Sequence, residues 1–468
     1  MAFKTKASAP KPKKTEHSVE TIFCQAYLKK PDWACEWTDK NSPALMRRWN
    51  GQFWEMVTPT ELRMEATDWL MKNAPDKHSA RRATSCAETL LDHMARNKPL
   101  IQPQTKDVVV STPGGYIHID PQGVIRVKKP DRSLGVTHGI TLSVSTQPGA
   151  IHQPKPLDPS SKLGKMLAYA HPDSEVLAFV QEQCGAVLWP GSLSQAAWWF
   201  GVPAASKSTL AEMVASVSRQ TVRLNLKQLN KDFGLEGLLG ANLVLVDEAD
   251  GGRISDESIF KTLVTGNGAS VNRKHEKMVH NYHSQAKWII SCNDAPFIRD
   301  KSGAVERRLG IVEWCHAVPE SERVTAYHKV LLDEEGEQFL DWLLEGLVRI
   351  IKRGGKMMEQ SQRPMALRNL GESIRLETDS VMAWTKDVGL VHSPTSKASK
   401  NDVYAHYAEW CQDAQREPLD RDVFWRQLKG RRYVEGWNGG DTQQSVNGRR
   451  VRMVPFKAKE ALVSRKLY

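Results

Sequence analysis

Between residues 196 and 314 four apolar runs each adjoin a residue type that handles phosphate or a metal ion, and helix-forming segments separate them. Ala196–Phe200 leads into Gly201-Val202-Pro203-Ala204-Ala205-Ser206-Lys207-Ser208. Leu243–Val246 runs into Asp247-Glu248, Trp288–Ser291 into Cys292-Asn293, and Arg307-Arg308 opens Leu309–Trp314. Short, continuously apolar strands alternating with helices require a parallel sheet with crossover connections. Such a sheet presents ligands at the carboxyl ends of its strands. The chain is therefore expected to be α/β, with a phosphate-binding loop (P-loop) nucleotide triphosphatase core.

The chemistry of each motif follows from its residue types. Polyphosphate needs converging backbone N–H groups, a helix N-terminus behind them, and a lysine that reaches the terminal phosphates. Gly201, Ala205, Ser206, Lys207, Ser208 and Thr209 fit the ATP-binding loop, with Ser208 available to magnesium. Ser206 stands where the usual pattern has glycine, which permits backbone conformations that serine disfavours. Asp247 at a strand end can hold Mg²⁺ with Ser208, and Glu248 can orient the attacking water. Asn293 can contact the γ-phosphate and the same water. An arginine of the 307–308 pair suits a finger that stabilises charge on the transferring phosphoryl group. If it serves a neighbour's site, the active form is an oligomer. Taken singly each has a plainer explanation: a solvated strand end, a turn asparagine, an exposed arginine. Their order and spacing carry the interpretation.

The formal charge of +11 points to a polyanionic partner. No run of 18 uncharged apolar residues occurs, so no membrane span is expected. Seven scattered cysteines without a C-x-x-C, and a Lys/Pro-rich start without an apolar stretch, suggest a reduced, cytoplasmic setting and no zinc site. Along the chain we expect a disordered basic tail (1–17), a mixed α+β N-terminal domain (18–158), a helical collar (159–194), the core (195–318), a helical extension (319–375) and a small C-terminal domain (376–468). The N-terminal domain has helical periodicity at 61–72 and 80–96, a Trp49–Trp54 hairpin, and β segments over 107–146. Three helices near 379–388, 400–414 and 420–429, then a hairpin turning at Asn447-Gly448, suggest a winged helix. From Lys429 to Tyr468, ten Lys/Arg face three Asp/Glu. Arg431, Arg432, Arg449, Arg450 and Arg452 are expected on the wing, and duplex DNA binding competes there with a partner-docking role.

The order of motifs resembles that of superfamily 3 helicases, the AAA+-type replication helicases of viruses, phages and plasmids. Between the carboxylates and the asparagine that family carries a DNA-tracking hairpin, and Val271-Asn272-Arg273-Lys274-His275-Glu276-Lys277 occupies that slot. The resemblance implies that Lys274 and His275, flanked by Arg273 and Lys277, contact single-stranded DNA. It implies roles for Lys207, Asp247, Glu248 and Asn293 in catalysis, and Arg308 as the finger with Arg307 as runner-up. It further implies ATP and Mg²⁺, a homo-oligomeric ring expected to be a hexamer, forked DNA as substrate, and 3′→5′ movement in a bacterial host. The upstream and C-terminal segments are similar to those of phage and plasmid primase-helicases. Residues 1–110 are too short for that family's polymerase domain and have no Asp-x-Asp, so primer synthesis is expected from a separate primase or polymerase. A replication initiator that melts an origin without processive unwinding, and a non-catalytic nucleotide-switched scaffold, are the competing expectations.

Overall fold

The computed structural model describes residues 17–102, 104–247, 250–298, 303–447, 449–459 and 462. The expected tail (1–17) lies almost wholly outside these residues, as do Glu248 and Gly448. Two compact units are present: one holds the residues up to Asp120 with Val124–His152 and Gly268–His283, the other Pro121–Gly123, Gln153–Asn267 and the chain from Ser284 onward.

The first unit joins helices Val19–Leu28, Pro59–Asn73 and Ala80–Asn97 to a three-stranded antiparallel sheet. Trp49 pairs with Trp54 across that sheet's second hairpin, with ring centroids 5.8 Å apart. Thr58 caps the second helix through a reciprocal capping box with Glu61, and Pro59 supplies a preset φ at its first turn. Phe23, Leu62, Ala66, Leu70, Cys86 and Leu90 fill the space between sheet and helices. Strands Val108–Thr112, Gly115–Ile119, Ile125–Lys128 and Ile151–His152 form a four-stranded antiparallel sheet.

The long hairpin Gly268–Arg273/Glu276–His283 belongs to this first unit, although its sequence interrupts the second. The core boundary expected at 195–318 did not anticipate this. The His280 backbone bonds to Thr38 and Ser42: Thr38 Oγ1 donates to His280 O at 2.8 Å, and His280 N donates to Ser42 Oγ at 2.7 Å.

In the second unit five parallel strands form one sheet. Its order is Leu309–Trp314, Ala196–Gly201, Lys287–Ser291, Leu243–Asp247, Thr221–Arg223. We name these the arginine, loop, amide, carboxylate and edge strands. Four of them are buried nearly throughout, as continuous apolar sequence in a parallel sheet requires. At the start of the amide strand the buried Lys287 Nζ donates to Trp189 O at 2.7 Å and to Asn242 Oδ1, joining it to the start of the carboxylate strand. Helix Tyr327–Lys352 packs on helix Ser174–Gly185, and Glu182 there receives Arg349 and Arg353.

Beyond helix Met365–Thr378, helices Ser380–Asp387, Lys400–Asp413 and Arg421–Gly430 enclose Trp384, Tyr407, Phe424 and Leu428. A three-stranded antiparallel sheet completes this region, with Thr442–Val446 and Arg449–Val454 as its hairpin. No helix among the described residues is long and apolar enough to cross a membrane.

Candidate nucleotide-binding site

Because the sheet is parallel, the loop after Gly201, Asp247 and Asn293 all emerge at one edge. The amide strand lies between the other two: Ser291 is level with Trp199 on one side and with Asp247 on the other. Neighbouring strands are about 4.8 Å apart, so this insertion sets Asn293 between loop and carboxylate within about 10 Å. There a cavity of 810 Å³ is lined by Ala205, Ser206, Lys207, Ser208, Thr209, Asp247 and Asn293. That volume suits a small-molecule ligand.

The loop is built by its backbone. Gly201 has φ 128°, and a Cβ there would lie 2.3 Å from Trp314 O, so only glycine fits. Ala204 and Ser206 both have left-handed backbone, at φ 58° and 66°. Serine thus adopts the conformation that glycine would take freely, at about 1–2 kcal/mol of strain. Left-handed residues alternating with ordinary ones make concavities of N–H groups that bind anions. Ser206 also precedes helix Lys207–Val217 and makes no side-chain cap, leaving the helix's positive end facing the cavity.

Lys207 is only 5% exposed. Its Nζ donates to Gly201 O at 2.9 Å and Val202 O at 2.7 Å, bridging its own loop. Burial pulls its pKa below the ordinary lysine value, with the Cys292 thiol opposing. These carbonyl contacts are the ones an incoming phosphate would replace.

Asp247 is half exposed and pairs with Arg223 at 3.0 Å. Arg223 also grips Glu212 with two bonds of 2.8 and 2.7 Å, which holds the Glu212 carboxyl below its usual pKa. Sequence reasoning missed Glu212 and Arg223. Glu212 lies four residues after Ser208 on the same helix face, and Arg223 ends the edge strand. Also missed was the cavity's outer wall, where Lys162, Lys165, Met166 and Tyr169 line it with Val324 and Tyr327. The signal was present as i, i+3, i+4, i+7 spacing on helix Lys162–Ala170.

A magnesium ion prefers a few oxygen ligands and retained water. Ser208 and Asp247 offer a hydroxyl and a carboxylate on one cavity wall, so the donor set fits.

Arg307 and Arg308 do not line this cavity. They precede the arginine strand and so stand at its amino end, the opposite sheet edge from Lys207. Six residues of strand span about 20 Å. Arg307 is exposed, whereas Arg308 is half-buried and donates from Nη1 to Ala304 O at 2.6 Å.

At the hairpin tip Lys274, His275 and Lys277 are exposed, and His275 takes a left-handed turn conformation at φ 61°. Arg273 is a correction: only 8% of it is exposed, so it does not stand with the three as a surface contact. Of the arginines expected on a wing, Arg449, Arg450 and Arg452 lie on the C-terminal hairpin and Arg432 just after helix Arg421–Gly430, all four exposed. Arg431 turns inward to Asp379 at 3.4 Å.

The family model that matches describes a family of unknown function, DUF5906, over residues 199–308, from the loop strand to Arg308. No curated protein matches the sequence. Solved structures similar to this chain include the apo C-terminal region of NrS-1, residues 305–718, at 13% identity and TM-score 0.47, covering 94% of this chain and 100% of that one. The A form of the same apo region aligns at 13% identity and TM-score 0.45, covering 94% and 99%. A further A-form structure of it aligns at 14% and TM-score 0.44, covering 93% and 98%.

Proposed function

We propose that this chain is an ATP-driven DNA helicase of the replication type, with a winged-helix C-terminal domain, working as a ring on single-stranded DNA. The observation that carries the proposal is one cavity at the carboxyl edge of a parallel sheet that gathers Lys207, Ser208, Asp247 and Asn293. In this account the amides of residues 204–209 hold the phosphates, and Lys207 leaves its loop carbonyls for the terminal phosphate. Bound magnesium would supply charge neutralisation between Ser208 and Asp247. Arg223 keeps Asp247 oriented, and Asn293 positions the water. Proton removal from that water falls to Glu248, which lies outside the described residues.

Because the arginine pair stands at the far edge of its own sheet, it serves a neighbouring subunit's cavity; this supports a ring. Exposure favours Arg307 as the group that reaches across, with Arg308 bracing the turn through Ala304. Lys274, His275 and Lys277 would hold DNA phosphates without reading sequence.

The test pairs ATP hydrolysis with strand displacement on forked DNA. Turnover that Lys207→Ala abolishes, together with unwinding, is the expected result. Hydrolysis without displacement of long duplexes would favour an origin-melting initiator instead. Normal turnover in Lys207→Ala would remove the site assignment.

A further inference from the structure

Away from the nucleotide cavity, a cleft of 900 Å³ opens beside the helix Arg421–Gly430. Its lining includes Arg375, Arg426 and Arg431, with Glu306 as the carboxylate among them. A second cleft of 840 Å³ shares Arg426 and Gly430 with the first, and adds Lys429 and Arg432 against Glu435. The two form one basic trough. Arg426 and Lys429 are both exposed and stand three residues apart, about 5–6 Å on a helix face.

The trough is held by an internal frame. Asp379 caps the helix Ser380–Asp387 and accepts from Gln427 Nε2 at 2.7 Å and from the Tyr433 hydroxyl. Arg431 closes on the same carboxylate. Arg375 faces the trough and also pairs with Glu306 at 2.5 Å, so one guanidinium is shared between an internal acid and the open cleft. Arg363, buried nearby, adds a further positive charge whose Nε and Nη2 have no acceptor.

We propose that this trough binds the phosphodiester backbone of a nucleic acid, at a site separate from the hairpin tip. Two joined clefts with five cations are longer than one small anion requires. Guanidinium forks match phosphate oxygens, and Arg449, Arg450 and Arg452 are further exposed cations of the C-terminal hairpin. The choice of nucleic acid as the polyanion rests on the proposed function. Binding is measured without nucleotide, so the two ideas fail separately.

The test uses the full chain and fluorescence anisotropy with a labelled single strand and a labelled hairpin duplex over a salt series. For Arg426→Ala/Lys429→Ala, affinity should drop and the slope of log affinity against log salt should fall by about 2, one per lost phosphate contact. Glu306→Gln releases Arg375 from its competing carboxylate, so oligonucleotide binding should tighten several-fold. That gain cannot come from misfolding. Unchanged affinity and slope in the double variant, or equal or weaker binding in Glu306→Gln, overturns the proposal. So does displacement of both oligonucleotides by millimolar inorganic phosphate, which would mark a small-anion site.

Discussion

Ser206 and Lys207 concentrate the chemistry of the loop in two adjacent residues. Serine at φ 66° carries strain that glycine would not. Ser206→Gly should therefore raise the unfolding free energy by about 1 kcal/mol in a denaturant titration, with nucleotide binding retained. A loss of stability would mean that the serine side chain contributes more than the backbone costs. His171 gives a second test. It is 5% exposed and packs edge-on against Trp314 at 4.3 Å, and burial, then the charge of His316, lowers its pKa to about 4. The unfolded chain, near the ordinary 6.5, binds a proton in this window that the folded chain does not. Stability from this group is present above about pH 6.5 and declines as pH falls toward 4, by up to about 3 kcal/mol. His171→Leu should flatten that part of the profile of unfolding free energy against pH; an identical slope would exclude His171 as its source. That Lys207, Ser208, Asp247 and Asn293 meet at one cavity was legible from the order and spacing of their motifs. Glu212 and Arg223 were not, because their pairing depends on which strand lies at the sheet edge, and periodicity does not encode that.

At the scale of elements, alternation of strand and helix gave the parallel sheet, and the order of strands had to come from the structure. Insertion of the amide strand between loop and carboxylate is what makes one cavity of motifs 86 residues apart (Lys207 to Asn293). The hairpin was visible only as a basic segment in the slot between the carboxylates and Asn293. Its allegiance was not: His280 bonds Ser42 across 238 residues, a contact with no local signature. Those contacts engage the backbone and leave the tip exposed. Lys274→Ala/His275→Ala should accordingly leave stability unchanged within about 0.5 kcal/mol, as expected for exposed positions. The same variant should hydrolyse ATP and fail to displace strands. Unwinding at the wild-type rate would refute the tip as the translocating contact.

For the whole molecule, the distance between Lys207's edge and Arg307's edge is the decisive feature. If Arg307 completes a nucleotide site, as proposed, that site must belong to another copy, arranged head to tail. Arg307→Ala should lower turnover by about 10³-fold or more while nucleotide still binds, the loss an arginine finger would produce. Arg308→Ala should cost less rate and more stability, since Arg308 braces the Ala304 turn. The reverse pattern would return the finger to Arg308.

The sharing of each site between copies is tested most directly by mixing two inactive variants, Lys207→Ala and Arg307→Ala/Arg308→Ala, and measuring ATP hydrolysis. Random co-assembly pairs an intact loop with an intact arginine at about a quarter of head-to-tail interfaces, so turnover should recover toward that fraction of wild type. Mixtures as inactive as their components, under conditions where labelled subunits demonstrably exchange, would contradict it.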